Sequence, residues 1–131
     1  MSVILVDHDI EGQAVMLWRM LCADGWAELI PLDMILFAQV SLPENSSDRE
    51  VWRFAQKNGM ILLTGNRRMV EEDSLERTIR EENTPTSLPV LTIGRVKRMM
   101  ERSYRERCEI RLVEIVLDMD NYLGTARIFI P

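Results

Sequence analysis

Short apolar runs alternate with amphipathic stretches along this chain. Val3 to Val6 is apolar, partly β-branched and stops at Asp7, the pattern of a short buried strand. Ile10 to Ala23 places Ala14, Leu17, Trp18 and Leu21 close to helical spacing, and Asp24-Gly25 supplies a residue tolerant of positive φ to end that helix. Residues 26–32 read as a second strand stopped by Pro31. Residues 33–40 fit either a short helix or more strand, because their periodicity selects neither. Residues 41–48 are a loop by composition, and Val51, Trp52, Phe54 and Ala55 then form a helical stripe closed by Asn58-Gly59.

Met60 to Thr64 is the clearest central strand. An irregular polar connection over 65–73 leads to a charged, exposed helix from Ser74 to Glu82. Pro85 and Pro89 keep residues 83–89 irregular, and Val90 to Ile93 is a further strand. A long amphipathic helix is expected from Arg95 to about Asp118, with Val96, Met99, Tyr104, Cys108, Leu112 and Ile115 on its apolar stripe. Ala126 to Ile130 suits an edge strand. Strands alternating with helices predict an α/β fold, a three-layer sandwich around a mostly parallel central sheet. No repeat or linker divides the chain, so residues 1–131 are read as one domain.

Composition narrows the setting. A hydrophobic fraction of 47% and a charged fraction of 28% are those of an ordinary globular protein. No apolar run approaches the roughly 20 residues that span a bilayer, so no membrane partner is expected. The first residues carry acid rather than base, unlike a secretory signal. Cys22 and Cys108 lie far apart without metal-type spacing, which suggests a reduced, cytoplasmic setting with buried thiols. The net charge of -5 argues against a general nucleic-acid coat. Only Lys57 and Lys97 among the 16 basic residues are lysines, and most arginines alternate with glutamates as on a solvated helix face. The nine methionines mostly sit on apolar stripes and are core filler. Trp18, Trp26 and Trp52, with the broad apolar face of the last helix, also suit a homodimer.

Open α/β sheets bind ligands beyond the carboxyl ends of their strands. Asp7 and Asp9 follow the first strand, Thr64, Gly65 and Asn66 the central one, and Thr92 and Gly94 the next. Asp48 and Glu50 open the helix before the central strand; that leaves two placements open, the sheet's other end, or the cleft if the loop before them folds over it. Each has a plainer alternative. Asp9 suits a cap on the first helix, Ser47 with Glu50 fits a capping box, and Asp73 with Glu76 fits the same device. Asp7 differs, because a carboxylate at the end of a buried strand is costly unless something compensates it. His8 is the only histidine, and no serine or cysteine partner is evident for a triad.

Two carboxylate chemistries fit poorly. A phosphotransfer hydrolase of the haloacid dehalogenase type needs threonine where Glu11 stands, and a two-component receiver needs a strand-ending phosphoacceptor aspartate that is missing. A third resemblance is more specific. "VILVDHDI", "CADGW", "NSSDREVWRFAQKNG" and "MILLTGNRR" follow one another over residues 1 to 93. In that order they resemble the PIN-like nuclease domain of the short bacterial toxin-type group.

The resemblance implies a metal-dependent ribonuclease, a hydrolase using Mg²⁺ or Mn²⁺ held by acidic side chains, and a protein antitoxin as partner. By matching positions Asp7 is the first ligand and Asp48 the second. Asn66 stands where the family carries a third acid, and Arg68 where it sometimes carries another. The implied catalytic set is Asp7, Asp48 and Asn66, with Asp9, Glu71, Glu72 or Asp73 able to restore the missing charge. Arg67 and Arg68 would clamp an RNA phosphate. The alternative is a degenerate binding or regulatory protein, in which an aspartate faces an arginine fork and the site closes into a salt-bridge network.

Overall fold

The computed structural model describes residues 1–65 and 74–131. Five strands, β1 (Ser2–Val6), β2 (Leu32–Leu36), β3 (Met60–Thr64), β4 (Val90–Thr92) and β5 (Arg127–Phe129), form one all-parallel sheet in the order β2-β1-β3-β4-β5. The helices are α1 (Glu11–Ala23), α2 (Trp26–Leu29), α3 (Asp48–Lys57), α4 (Leu75–Glu82) and α5 (Arg102–Leu117).

Side chains alternate across the strands, so the sheet feeds two cores. Ile4, Val6, Ile61, Leu63, Leu91 and Ile128 pack with Ala14, Leu17 and Leu21 of α1 and with Tyr104, Cys108, Leu112 and Ile115 of α5. Leu5, Leu62 and Val90 pack instead with Val51, Trp52 and Ala55 of α3 and with Leu75 and Ile79 of α4. Burying one such aliphatic side chain contributes about 1.5–3 kcal/mol. From β3 to β4 and from β4 to β5 the chain steps the same way along the sheet, yet α4 and α5 lie in different cores. The last crossover therefore has the opposite hand to the one before it, against the strong preference for a single hand.

The second strand begins later than its sequence suggests. Residues 26–29 form the helical turn α2, and Pro31 precedes β2 rather than stopping it. Gly25, at φ 84°, turns the chain out of α1 and lets a helical turn restart. The Pro31 carbonyl accepts the Ser2 N–H at 2.9 Å, and lacking an N–H is no loss at the start of an edge strand. The ambiguous stretch 33–40 divides into the rest of β2 and a 3₁₀ turn, Phe37–Val40.

Two helices also differ from expectation. The helix expected from Arg95 is interrupted: a 3₁₀ turn, Val96–Met100, ends at Glu101 in extended backbone (ψ 124°) before α5 begins. The Tyr104 hydroxyl accepts the Arg95 N–H at 2.9 Å and fixes the start of that turn. Met99 is thereby buried while Met100 is exposed. The expected exposed helix, α4, buries Leu75, Thr78 and Ile79, and its cap is Ser74, whose side chain accepts the Arg77 N–H. Cys108 is buried as expected, whereas Cys22 is exposed because it lies on the outer face of α1.

One acid is buried among the described residues. Glu109 of α5 is 3% exposed, and its Oε2 has no hydrogen-bond partner among the described residues. Burial, then the neighbouring Asp24 and Glu106 carboxylates, raise its pKa to about 7.

Candidate functional site at the carboxyl rim

The chain passes from β1 outward to β2, then back across to β3, so the order reverses between β1 and β3. At such a reversal the outgoing connections part and leave a crevice beyond the carboxyl ends of the strands. Asp7 stands at that point. Its N–H still donates to the Leu63 carbonyl of β3 at 2.9 Å, so the β1–β3 ladder carries its backbone to the crevice edge. Thr64, the buried last residue of β3, donates its hydroxyl to Asp7 Oδ2 at 2.7 Å. Gly65 follows, and a Cβ there would overlap a Val96 methyl and crowd Ile10 at 3.1 Å, so only glycine fits this close approach.

Asp48 arrives from the other direction. A crossover helix returns antiparallel to its strands, so its first turn lies at their carboxyl ends; of the two placements left open for Asp48, the one on the same rim as Asp7 is found. Ser47 and Glu50 make the expected capping box: the Ser47 side chain accepts the Glu50 N–H at 3.1 Å, and Glu50 Oε1 accepts the Ser47 N–H at 3.2 Å. Asp48 is thus left to face outward from the first turn, where its Oδ2 accepts the Leu75 N–H at 3.1 Å. That bond ties the start of α3 to the start of α4.

Asp7, Asp9 and Asp48 line one open pocket of about 450 Å³, over a floor that includes Ile10, Phe37 and Val51. Asp9 does not cap α1, whose N-cap is Ile10 without a side-chain bond; it lies exposed in the 3₁₀ turn His8–Ile10. Burial chiefly raises the Asp7 pKa, and the Asp9 and Asp48 charges raise it further, against the lowering by the Thr64 hydroxyl. The Asp9 and Asp48 charges thus each oppose ionisation of Asp7, and a cation beside it would relieve that. Among the described residues, no group of three or more His, Cys, Asp and Glu side chains is close enough to hold a metal. Asp7 and Asp48 by themselves do not make a complete donor set for such an ion.

Asn66, Arg67 and Arg68, with Glu71, Glu72 and Asp73, lie outside the described residues. Two further groups of the pocket wall come from the 41–48 loop, Glu44 and Ser46. Nothing in the local pattern of that loop marks them, because the fold of the loop over the crevice puts them there. His8 contacts carboxylates on both ring nitrogens, Glu11 Oε2 at 3.4 Å and Glu44 Oε2 at 3.5 Å, and packs beside the Phe37 ring. It bridges the β1 turn to this loop.

No helix among the described residues is long and apolar enough to cross a membrane. Comparison with family models, with curated proteins and with solved structures finds no match to this chain.

Proposed function

We propose that this protein is a divalent-metal-dependent phosphodiesterase of PIN-like type that cleaves RNA. One observation supports it above the others: Asp7 and Asp48, distant in sequence, line the same crevice, and the Asp48 charge opposes ionisation of Asp7. The same reading extends to the finer architecture, a three-layer PIN-like sandwich, and to a cytoplasmic toxin held by a protein antitoxin.

In this reading Asp7 and Asp48 would hold Mg²⁺ or Mn²⁺, with Asn66 as a neutral oxygen donor and Asp9 supplying further negative charge. When bound, such an ion lowers the pKa of water and offsets charge on a phosphodiester. The chain's own work is positional. Thr64 holds one Asp7 oxygen by hydrogen bond, and the Leu75 N–H holds one Asp48 oxygen. Arg67 and Arg68, by the resemblance, would contact the RNA phosphate.

Thermal melting with and without millimolar Mn²⁺ tests the first step, because an ion that binds only the folded chain raises the melting temperature. Cleavage of RNA by the native chain, set beside Asp7→Asn and Asp48→Asn, tests the second. A stabilisation by Mn²⁺ that both variants lose, with cleavage lost in parallel, is the expected result. A second reading, a degenerate binding protein, is favoured by the same two hydrogen bonds, since each gives a carboxylate a protein donor. No Mn²⁺ shift and equal cleavage by all three proteins would establish that reading instead.

A further inference from the structure

β2 stands at one end of the sheet, with β1 on one side and no strand on the other among the described residues. The parallel register fixes which of its backbone groups face outward. Ser2 pairs with Leu32, and the Ser2 N–H donates to the Pro31 carbonyl at 2.9 Å. By the alternation of a parallel ladder, Asp33 and Ile35 then turn their N–H and carbonyl groups toward β1. Leu32, Met34 and Leu36 turn theirs away from the sheet. An open row of this kind is a template for another strand.

Two of these outward donors are occupied. Asp33 Oδ1 accepts the Met34 N–H at 2.8 Å, and Gln39 Oε1, from the 3₁₀ turn after the strand, accepts the Leu36 N–H at 2.8 Å. Neither bond rescues a buried group, for both lie where water would serve as acceptor. Alternation puts the Asp33 side chain on the face where Ile35 packs against the second core, yet Asp33 is exposed and bends back over its own edge.

The surrounding sequence makes an open edge hazardous here. Between Glu28 and Glu44, Asp33 is the only charged residue, and Met34 to Ala38 is an unbroken apolar run. Short apolar segments of low charge, open along a strand edge, pair with copies of themselves. A second copy of this chain is therefore the partner that the edge would take, β2 against β2, antiparallel across a two-fold axis. Such pairing needs the two donors that Asp33 and Gln39 hold. It also sets two Asp33 carboxylates on adjacent strands, where like charges repel.

We propose that Asp33 and Gln39 close the β2 edge against strand pairing with a second copy of this chain, by holding the two amide groups that such pairing would use. The inference concerns assembly and is independent of the phosphodiesterase reading.

Sedimentation velocity of the full chain over a concentration series tests it. Asp33→Ala with Gln39→Ala should associate as concentration rises, over a range in which the native chain sediments unchanged. Adding Met34→Pro to the double variant should restore the native behaviour, because the Met34 N–H points away from β1 and its loss leaves the β1–β2 ladder whole. Circular dichroism melts confirm that each variant folds. Amide hydrogen exchange on the single variants gives a second measurement that needs no association. At low concentration Asp33→Ala should speed exchange of the Met34 amide about fivefold, and Gln39→Ala that of the Leu36 amide, with the Ile35 amide in the ladder unchanged. A folded double variant that sediments as the native chain does at every concentration would overturn the proposal. So would association that persists with Met34→Pro, which would put the contact elsewhere, or Met34 and Leu36 amides whose exchange ignores both substitutions.

Discussion

The Thr64 hydroxyl donates to Asp7 Oδ2 at 2.7 Å, joining the ends of β3 and β1 where the strand order reverses. This bond favours the ionised carboxylate that burial and the charges of Asp9 and Asp48 oppose. Thr64→Val keeps the shape, since both side chains are β-branched, but removes the donor. The cost should be about 1.5–3 kcal/mol at neutral pH, the range for a hydrogen bond to a charged group, and smaller in acid. Urea denaturation at the two pH values checks this.

Asp7 should trade stability for its site. Its pKa is raised in the fold, so the favourable contribution of the protonated form is complete below the unfolded value and is lost as pH rises through the folded one. Asp7→Asn should therefore melt a few degrees higher than the native chain near neutrality when divalent ions are chelated, and the gain should vanish in acid. Scanning calorimetry measures it. A lower melting temperature at every pH would mean that the Asp7 carboxylate is needed by the fold itself.

Glu109 carries a second pH dependence, independent of the crevice. Its pKa rises from an ordinary 4.5 to about 7 through burial and the Asp24 and Glu106 charges. The native state then holds a proton that the unfolded chain releases, so stability should fall as pH rises from about 4.5 to about 7. Glu109→Gln keeps the shape without the charge and should flatten this fall, with a gain on the order of 2 kcal/mol at pH above 7. Denaturant midpoints across pH read it directly.

Ser47 couples folding to the site. Ser47→Ala breaks the capping box with Glu50 and should cost about 1 kcal/mol. Because Asp48 is the next residue, a frayed first turn of α3 should also reduce any stabilisation by Mn²⁺. Glu50→Gln, which retains an acceptor for the Ser47 N–H, should keep most of both.

Gly65 tests the crevice floor. Gly65→Ala should destabilise the protein by about 1 kcal/mol or more, because its methyl meets Val96 and Ile10 in packed surroundings. Val96→Ala should recover part of that loss when combined with it, which a double-mutant cycle measures.

Much of the secondary structure could be read locally. β1, α1, α3, β3 and β4 were legible because their apolar periodicity and their ends, Gly25 at φ 84° and Gly59 at φ 65°, are written in adjacent residues. The misplacement of the second strand has a different origin. Residues 26–36 hold apolar side chains apart from Glu28 and Asp33, and pairing of Leu32–Leu36 with β1 selects the strand, leaving 26–29 to form the helical turn α2. The break at Glu101 is likewise a long-range effect, since Met99 is drawn into the first core.

The candidate site divides in the same way. Asp7 at a strand end and Ser47 with Glu50 at a helix start were evident from their neighbours alone. That Asp48 reaches the Asp7 crevice and that Glu44 joins it were not. By itself the sequence determined which segments are strands or helices wherever short-range periodicity and turn chemistry agree. Only the tertiary structure decided which polar groups meet, because that depends on strand order and on which face of the sheet each helix covers, relations between residues far apart in the chain.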